Sequence, residues 1–130
     1  MIGLDTDTII DIFKDDFKLS ELIKSLEEDL CSTIINYQEL IFGLDFNNKK
    51  HLEEGEYYDS LFDKIILLNL DKDACKKTNE IIRNLLAKGN PIGEFDCMIA
   101  GIFLKNGVNK IVTRNVKHFE KVPGLKVISY

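Results

Sequence analysis

The chain has 130 residues, of which 45% are hydrophobic and 30% charged, with a net charge of −5. That length and balance fit one globular domain with a real core and exclude a disordered chain. Residues 1–64 carry 16 acids against 6 Lys and Arg, whereas residues 65–130 carry 6 against 11; the total speaks against indiscriminate polyanion binding, while the second half leaves room for a local basic face.

Residues 1–5 are an apolar run ending on an acid, which predicts a short buried strand. Residues 7–16 read as a helix with Ile9, Ile10, Ile12 and Phe13 facing a core, and residues 17–29 as a second helix on Leu19, Leu22, Ile23 and Leu26. Residues 31–35 are rich in β-branched side chains and strand-like. Asn36 reads as the cap of a helix running to Leu44. Residues 47–50 break the pattern, and residues 51–62 form a polar helix with Leu52, Tyr58, Leu61 and Phe62 inward. Residues 64–70, apolar between acids, look like the clearest buried strand. Asp71 opens a helix to Lys88 with Ala74, Cys75, Thr78, Ile81, Ile82, Leu85 and Leu86 inward. A helix over 94–105 ends at Asn106-Gly107 by the left-handed route. Strands over 110–113 and 125–128 flank a helical turn at 118–120. The alternation predicts an α/β domain spanning residues 1–130, with a largely parallel sheet covered on both faces.

No apolar run approaches the ~20 residues of a membrane span. No basic segment with a small-residue cleavage site opens the chain, so a cytoplasmic protein is expected. Cys31, Cys75 and Cys97 are odd in number and form no CxxC pair, which speaks against a disulfide framework or zinc site and suits core positions.

Three carboxylates fall where a parallel sheet gathers its elements. Asp5 ends the first strand, Glu39 lies one turn into the helix after the second, and Asp96 opens the helix before the fourth, with Thr113 and Asn115 just past that strand. Strand carboxyl ends are where open α/β sheets bind ligands. Oxygen ligands without His or Cys suit a hard cation such as Mg²⁺ or Mn²⁺, and clustered carboxylates repel unless a cation intervenes. Helix macrodipoles ease Asp96 and Glu39 by only about 0.3–1 kcal/mol. Singly, each acid also reads as a helix cap or a solvated first-turn acid.

Taken together, Leu4-Asp5-Thr6-Asp7, the Ser32, Glu39 and Gly43 spacing, Pro91-Ile92-Gly93-Glu94-Phe95-Asp96 with Ile99-Ala100, Thr113-Arg114-Asn115 with His118-Phe119, and Pro123-Gly124-Leu125 resemble a PIN-domain ribonuclease. More narrowly, they resemble a VapC-type toxin of toxin–antitoxin pairs. The resemblance covers nearly the whole chain and implies a three-layer α/β/α fold with a parallel five-stranded sheet. It implies Mg²⁺- or Mn²⁺-dependent hydrolysis of RNA, leaving 5′-phosphate and 3′-hydroxyl ends, with Asp5, Glu39 and Asp96 as metal-binding acids. Thr6 and Thr113 match supporting hydroxyls. A homodimer and a cognate antitoxin partner are implied as well.

Two positions depart from the family pattern. Asn115 stands at a fourth, often acidic, position, where it adds no charge, so one tight metal site is expected. Asp7 stands where the toxin-like branch usually has Asn, and reads as a helix cap. His118 reads as packing at a loop, and Arg114 and Lys117 as candidate phosphate contacts. Asp5-Thr6-Asp7-Thr8 also matches a haloacid-dehalogenase-like phosphotransferase with Asp5 as nucleophile, although Ile9 departs from that motif. A catalytically silent PIN-like module for RNA or protein binding is the second alternative.

Overall fold

In a computed structural model that describes all 130 residues, strand β1 (Ile2–Leu4) is buried along its whole length. The chain continues through α1 (Thr6–Phe13), α2 (Phe17–Ser25), β2 (Leu30–Thr33), α3 (Ile34–Phe42), α4 (Lys49–Lys64) and β3 (Ile66–Leu68). It finishes with α5 (Lys72–Ala87), α6 (Glu94–Lys105), β4 (Lys110–Val112), α7 (Val116–Phe119) and β5 (Lys126–Ile128). The strands form one sheet in the order β3-β2-β1-β4-β5, and every neighbouring pair is parallel. This is the three-layer α/β fold that the sequence implied.

Alternation along the central strands divides the core. Ile2, Leu4 and Val112 join Ile9, Leu19, Leu40, Tyr58 and Phe62 on the face covered by α1 to α4. Ile111 and Cys31 point the other way, into a cluster with Ile81, Leu85, Ile99, Phe103 and Phe119 from α5, α6 and α7. A side-chain period of two is what sends neighbours to opposite faces. Gly101 lets α5 and α6 touch: a Cβ there would lie 2.9 Å from the backbone nitrogen of Thr78.

Several boundaries differ from the sequence reading. The first helix stops at Phe13; Asp15 then takes φ 55°, and Asp16 caps α2 by accepting the Leu19 N–H at 2.9 Å. Acids tolerate the left-handed region and favour N-caps, so the two expected helices are both present but the first ends three residues early, before Asp15 and Asp16. Thr33, not Asn36, caps α3, with Asn36 as the reciprocal partner three residues on. The strand at 66–68 is not the most buried one: β3 is a sheet edge, and Ile66 and Leu67 are exposed. Cys75 and Leu86 are exposed rather than inward. The buried stripe of α5 is Ala74, Thr78, Ile81 and Leu85; a residue one step further along a helix lies about 100° round it, outside so narrow a stripe. Leu52 is likewise exposed on α4.

Candidate active site

β1 and β4 lie side by side, although the chain leaves β1 toward β2 on its other flank. At such a switch point the connections depart in opposite directions and leave a crevice at the strand carboxyl ends. Asp5 directly follows β1 and Thr113 directly follows β4. The Thr113 hydroxyl donates to Asp5 Oδ2 at 2.7 Å, and Asn36 Nδ2 donates to Asp5 Oδ1 at 3.1 Å. Asp5 is only 5% exposed. Burial pushes its carboxyl up to about 7; the Thr113 hydrogen bond opposes that rise, and the charges of Asp7 and Asp96 add to it.

Glu39 sits on α3 and is half-buried, accepting from the Thr6 hydroxyl at 2.7 Å. Burial raises its carboxyl as well, against the Thr6 hydrogen bond, with repulsion from Asp96 and Asp7 in support. It lies beyond the first turn of α3, so the macrodipole relief expected for it does not reach it. Asp96 is in the first turn of α6, as read from the sequence. Its Oδ2 lies 2.7 Å from His118 Nδ1 and 3.5 Å from Asn115 Nδ2. With a proton on Nδ1 the imidazole donates to the carboxylate and holds its rotamer.

The sequence reading of His118 as loop packing is therefore replaced. Asn115 and His118 are one helical turn apart, so α7 presents both to Asp96. Asp7 is not a cap either, since Asp5 occupies the N-cap of α1 and makes no side-chain cap bond. The Asp7 carboxylate instead accepts the Arg114 backbone N–H at 3.1 Å, anchoring the loop after β4. Burial raises the Asp7 carboxyl, with the Arg114 N–H opposing. Arg114 spends its guanidinium on Asp11, with Nε 2.7 Å from Oδ2, and the Tyr130 hydroxyl donates to that same oxygen at 2.6 Å. Lys117 is exposed on α7. As site residues Asn36, Asp11 and Tyr130 are not foreseen by the sequence, which marks Asn36 only as a helix cap; its one signal is its place one turn before Glu39.

The four acids Asp5, Asp7, Glu39 and Asp96 act on one another electrostatically, yet no three Asp, Glu, His or Cys side chains converge into a closed ligand set. An all-oxygen donor set whose members repel fits a hydrated hard cation held through one or two carboxylates and several waters, and not a protein cage. Mg²⁺ or Mn²⁺ meets that description. Asp5, Glu39 and Asp96 are the residues that would hold it.

Residues 2–125 match the family model described as PIN domain. The chain is 31% identical over 127 residues to the protein named tRNA(fMet)-specific endonuclease VapC from Salmonella typhimurium, covering 95% of this chain and 93% of that one. The crystal structure of DNA-bound VapBC from Salmonella typhimurium superposes with a TM-score of 0.83 at 27% identity, over 98% of this chain and 96% of that one. VapBC2 from Rickettsia felis, bound to a promoter DNA fragment, gives a TM-score of 0.86 at 22% identity, over 100% and 99% of the two chains, and bears on the fold alone. With the family model matched over residues 2–125 and the VapC relative matched over nearly the full length of both chains, this chain belongs to the PIN-domain family, in its VapC branch.

Proposed function

We propose that the protein is a Mg²⁺- or Mn²⁺-dependent endoribonuclease that hydrolyses RNA phosphodiesters to 5′-phosphate and 3′-hydroxyl ends, and that it is the toxin of a toxin–antitoxin pair. The observation that carries this reading is Asp5, a buried carboxylate with a donor on each oxygen, held among acids that raise its proton affinity. Repulsion of that kind costs stability unless the site binds a cation, and the price is accepted at functional sites. When bound, the cation supplies charge neutralisation at the scissile phosphate and acidifies a coordinated water.

The residues of the chain do the rest. Asp5, Glu39 and Asp96 offer the oxygens; Thr113 and Thr6 fix the first two of these, and His118 with Asn115 fixes the third. Lys117, exposed beside them on α7, meets backbone phosphates, and Arg114 shapes the loop from which such contacts are made. Relatives named tRNA(fMet)-specific endonuclease make initiator transfer RNA the first substrate to test. The structural relatives are toxin–antitoxin complexes, which supports an antitoxin partner for this chain. A homodimer acting in the cytoplasm, where its RNA is found, completes the reading.

The phosphotransferase alternative is set aside. Family membership argues against it, and Asp7, its required second acid, is turned to the Arg114 backbone. The test is cleavage of structured RNAs, initiator transfer RNA among them, with Mg²⁺, with Mn²⁺ and with EDTA, by wild type, Asp5→Asn, Glu39→Gln and Asp96→Asn. Metal-dependent cleavage by the wild type, lost in each variant, is expected. Cleavage that survives EDTA or the substitutions defeats the assignment, and tight RNA binding without cleavage would identify a silent binding module.

A further inference from the structure

We propose that Asn36 is a positioning residue of this active site, setting Asp5 and Glu39 together from one side-chain amide. The proposal rests on the nuclease reading above. Asn36 is fully buried. Its Oδ1 accepts the Thr33 backbone N–H at 3.2 Å and the Thr33 hydroxyl at 2.7 Å. A backbone N–H only donates, so the carbonyl end of the amide is identified and the NH₂ end must face the other way. That end reaches Asp5 Oδ1 at 3.1 Å and Thr6 Oγ1 at 3.0 Å. Thr6 Oγ1 accepts there and so has its proton free for Glu39 Oε1, at 2.7 Å.

The direction of every bond in this relay follows from the first. Thr33 orients Asn36, Asn36 directs one proton to Asp5 and the other to Thr6, and Thr6 directs its own to Glu39. Of the Asn36 side chain, the cap of α3 uses only the carbonyl end; one amide proton goes to Asp5 and the other to Thr6, which serves Glu39. A reversed amide would set a carbonyl oxygen against the Asp5 carboxylate, and a capping residue without donors would leave Asp5 with the Thr113 hydroxyl alone and Thr6 free to turn its proton away from Glu39. Outer partners that orient ligating carboxylates are worth about 10–100-fold in metal affinity or activity.

The test compares Asn36→Val with Asn36→Thr, which share a shape and differ in one hydroxyl, and adds Thr6→Val, which cuts the link to Glu39 and leaves the α3 cap intact. Mn²⁺ binding is measured by calorimetry without RNA, alongside kcat and KM for RNA cleavage and thermal unfolding in EDTA. Asn36→Val and Thr6→Val are expected to weaken Mn²⁺ binding and lower kcat by about 10–100-fold with KM little changed, and Asn36→Thr to recover much of the loss. Wild-type Mn²⁺ affinity and kcat in Asn36→Val, or in Thr6→Val should Asn36→Val fail to fold, would reduce Asn36 to a helix cap and overturn the proposal. A wild-type protein that neither binds Mn²⁺ nor cleaves RNA overturns the nuclease reading instead.

Discussion

The Nδ1 of His118 lies 2.7 Å from Oδ2 of Asp96, joining α7 to the first turn of α6 across the mouth of the site. The imidazole is part-exposed, with 45% of its side chain open, so it adds little to the core and acts through the acid it holds. His118→Ala is expected to lower kcat about 10–100-fold while shifting the melting temperature little. Unchanged turnover would show that Asp96 keeps its rotamer without help.

Asp5 makes stability depend on pH when metal is withheld. Its carboxyl is raised from 3.8 to about 7 in the folded protein. The sign follows from proton binding: the folded state holds this proton more tightly than the unfolded state, so the contribution is full below about pH 4 and is lost as pH rises through 7. The loss is at most about 4 kcal/mol. In EDTA the protein should therefore melt at a lower temperature at pH 8 than at pH 5. Asp5→Asn should remove much of that difference and raise the pH 8 melting temperature by roughly 5–10 °C. Added Mg²⁺ should narrow the gap in the wild type by linkage. Identical melting of wild type and Asp5→Asn at pH 8 would contradict the burial argument.

The contact between α5 and α6 has no room for a methyl group. At Gly101 a Cβ would lie 2.3 Å from the Thr78 hydroxyl oxygen and 3.0 Å from the Thr78 Cα. A side-chain tip can turn aside but the backbone of α5 cannot, so Gly101→Ala must push the helices apart. A loss of about 1–3 kcal/mol is expected, read from urea denaturation. Asp96 shares α6 with Gly101, so turnover per folded molecule is expected to fall as well.

Arg114 and Lys117 separate two uses of positive charge. Arg114 is committed to Asp11, whereas Lys117 is exposed on α7. Lys117→Ala should raise KM for RNA and flatten its salt dependence by about one phosphate contact. Arg114→Ala should act chiefly on kcat, through the loop that carries Thr113 and Asn115. The reverse pattern in steady-state kinetics at two salt concentrations would make Arg114 the phosphate ligand.

Much of this architecture was legible because its signals are local. Ile2 to Asp5 reads as a buried strand ending on an acid, and the alternation of short apolar runs with helical periods implied a parallel sheet. Asp96 could be placed in a first helical turn from the Gly93-Glu94 start. What the sequence withheld depends on contacts between distant segments. Nothing near His118 announces Asp96, and nothing near Asp7 announces the Arg114 N–H. Ile66 and Leu67 looked interior because apolar composition does not distinguish a central strand from an edge one. Asn36 reads as a cap because Asn commonly caps; that Thr33 does the capping, and frees the amide for Asp5, is a fact of packing.

Thr113 and Asp5 are 108 positions apart in the chain, yet they share a hydrogen bond at the centre of the site. A growing polypeptide thus carries its acids one by one, each on its own segment and harmless, until β4 emerges and slots beside β1. The nuclease centre would come into being only once β4 is made, and any break in the chain before that strand yields a product with no assembled centre. For a ribonuclease toxin, this dependence on β4 limits the hazard posed by copies that lack it.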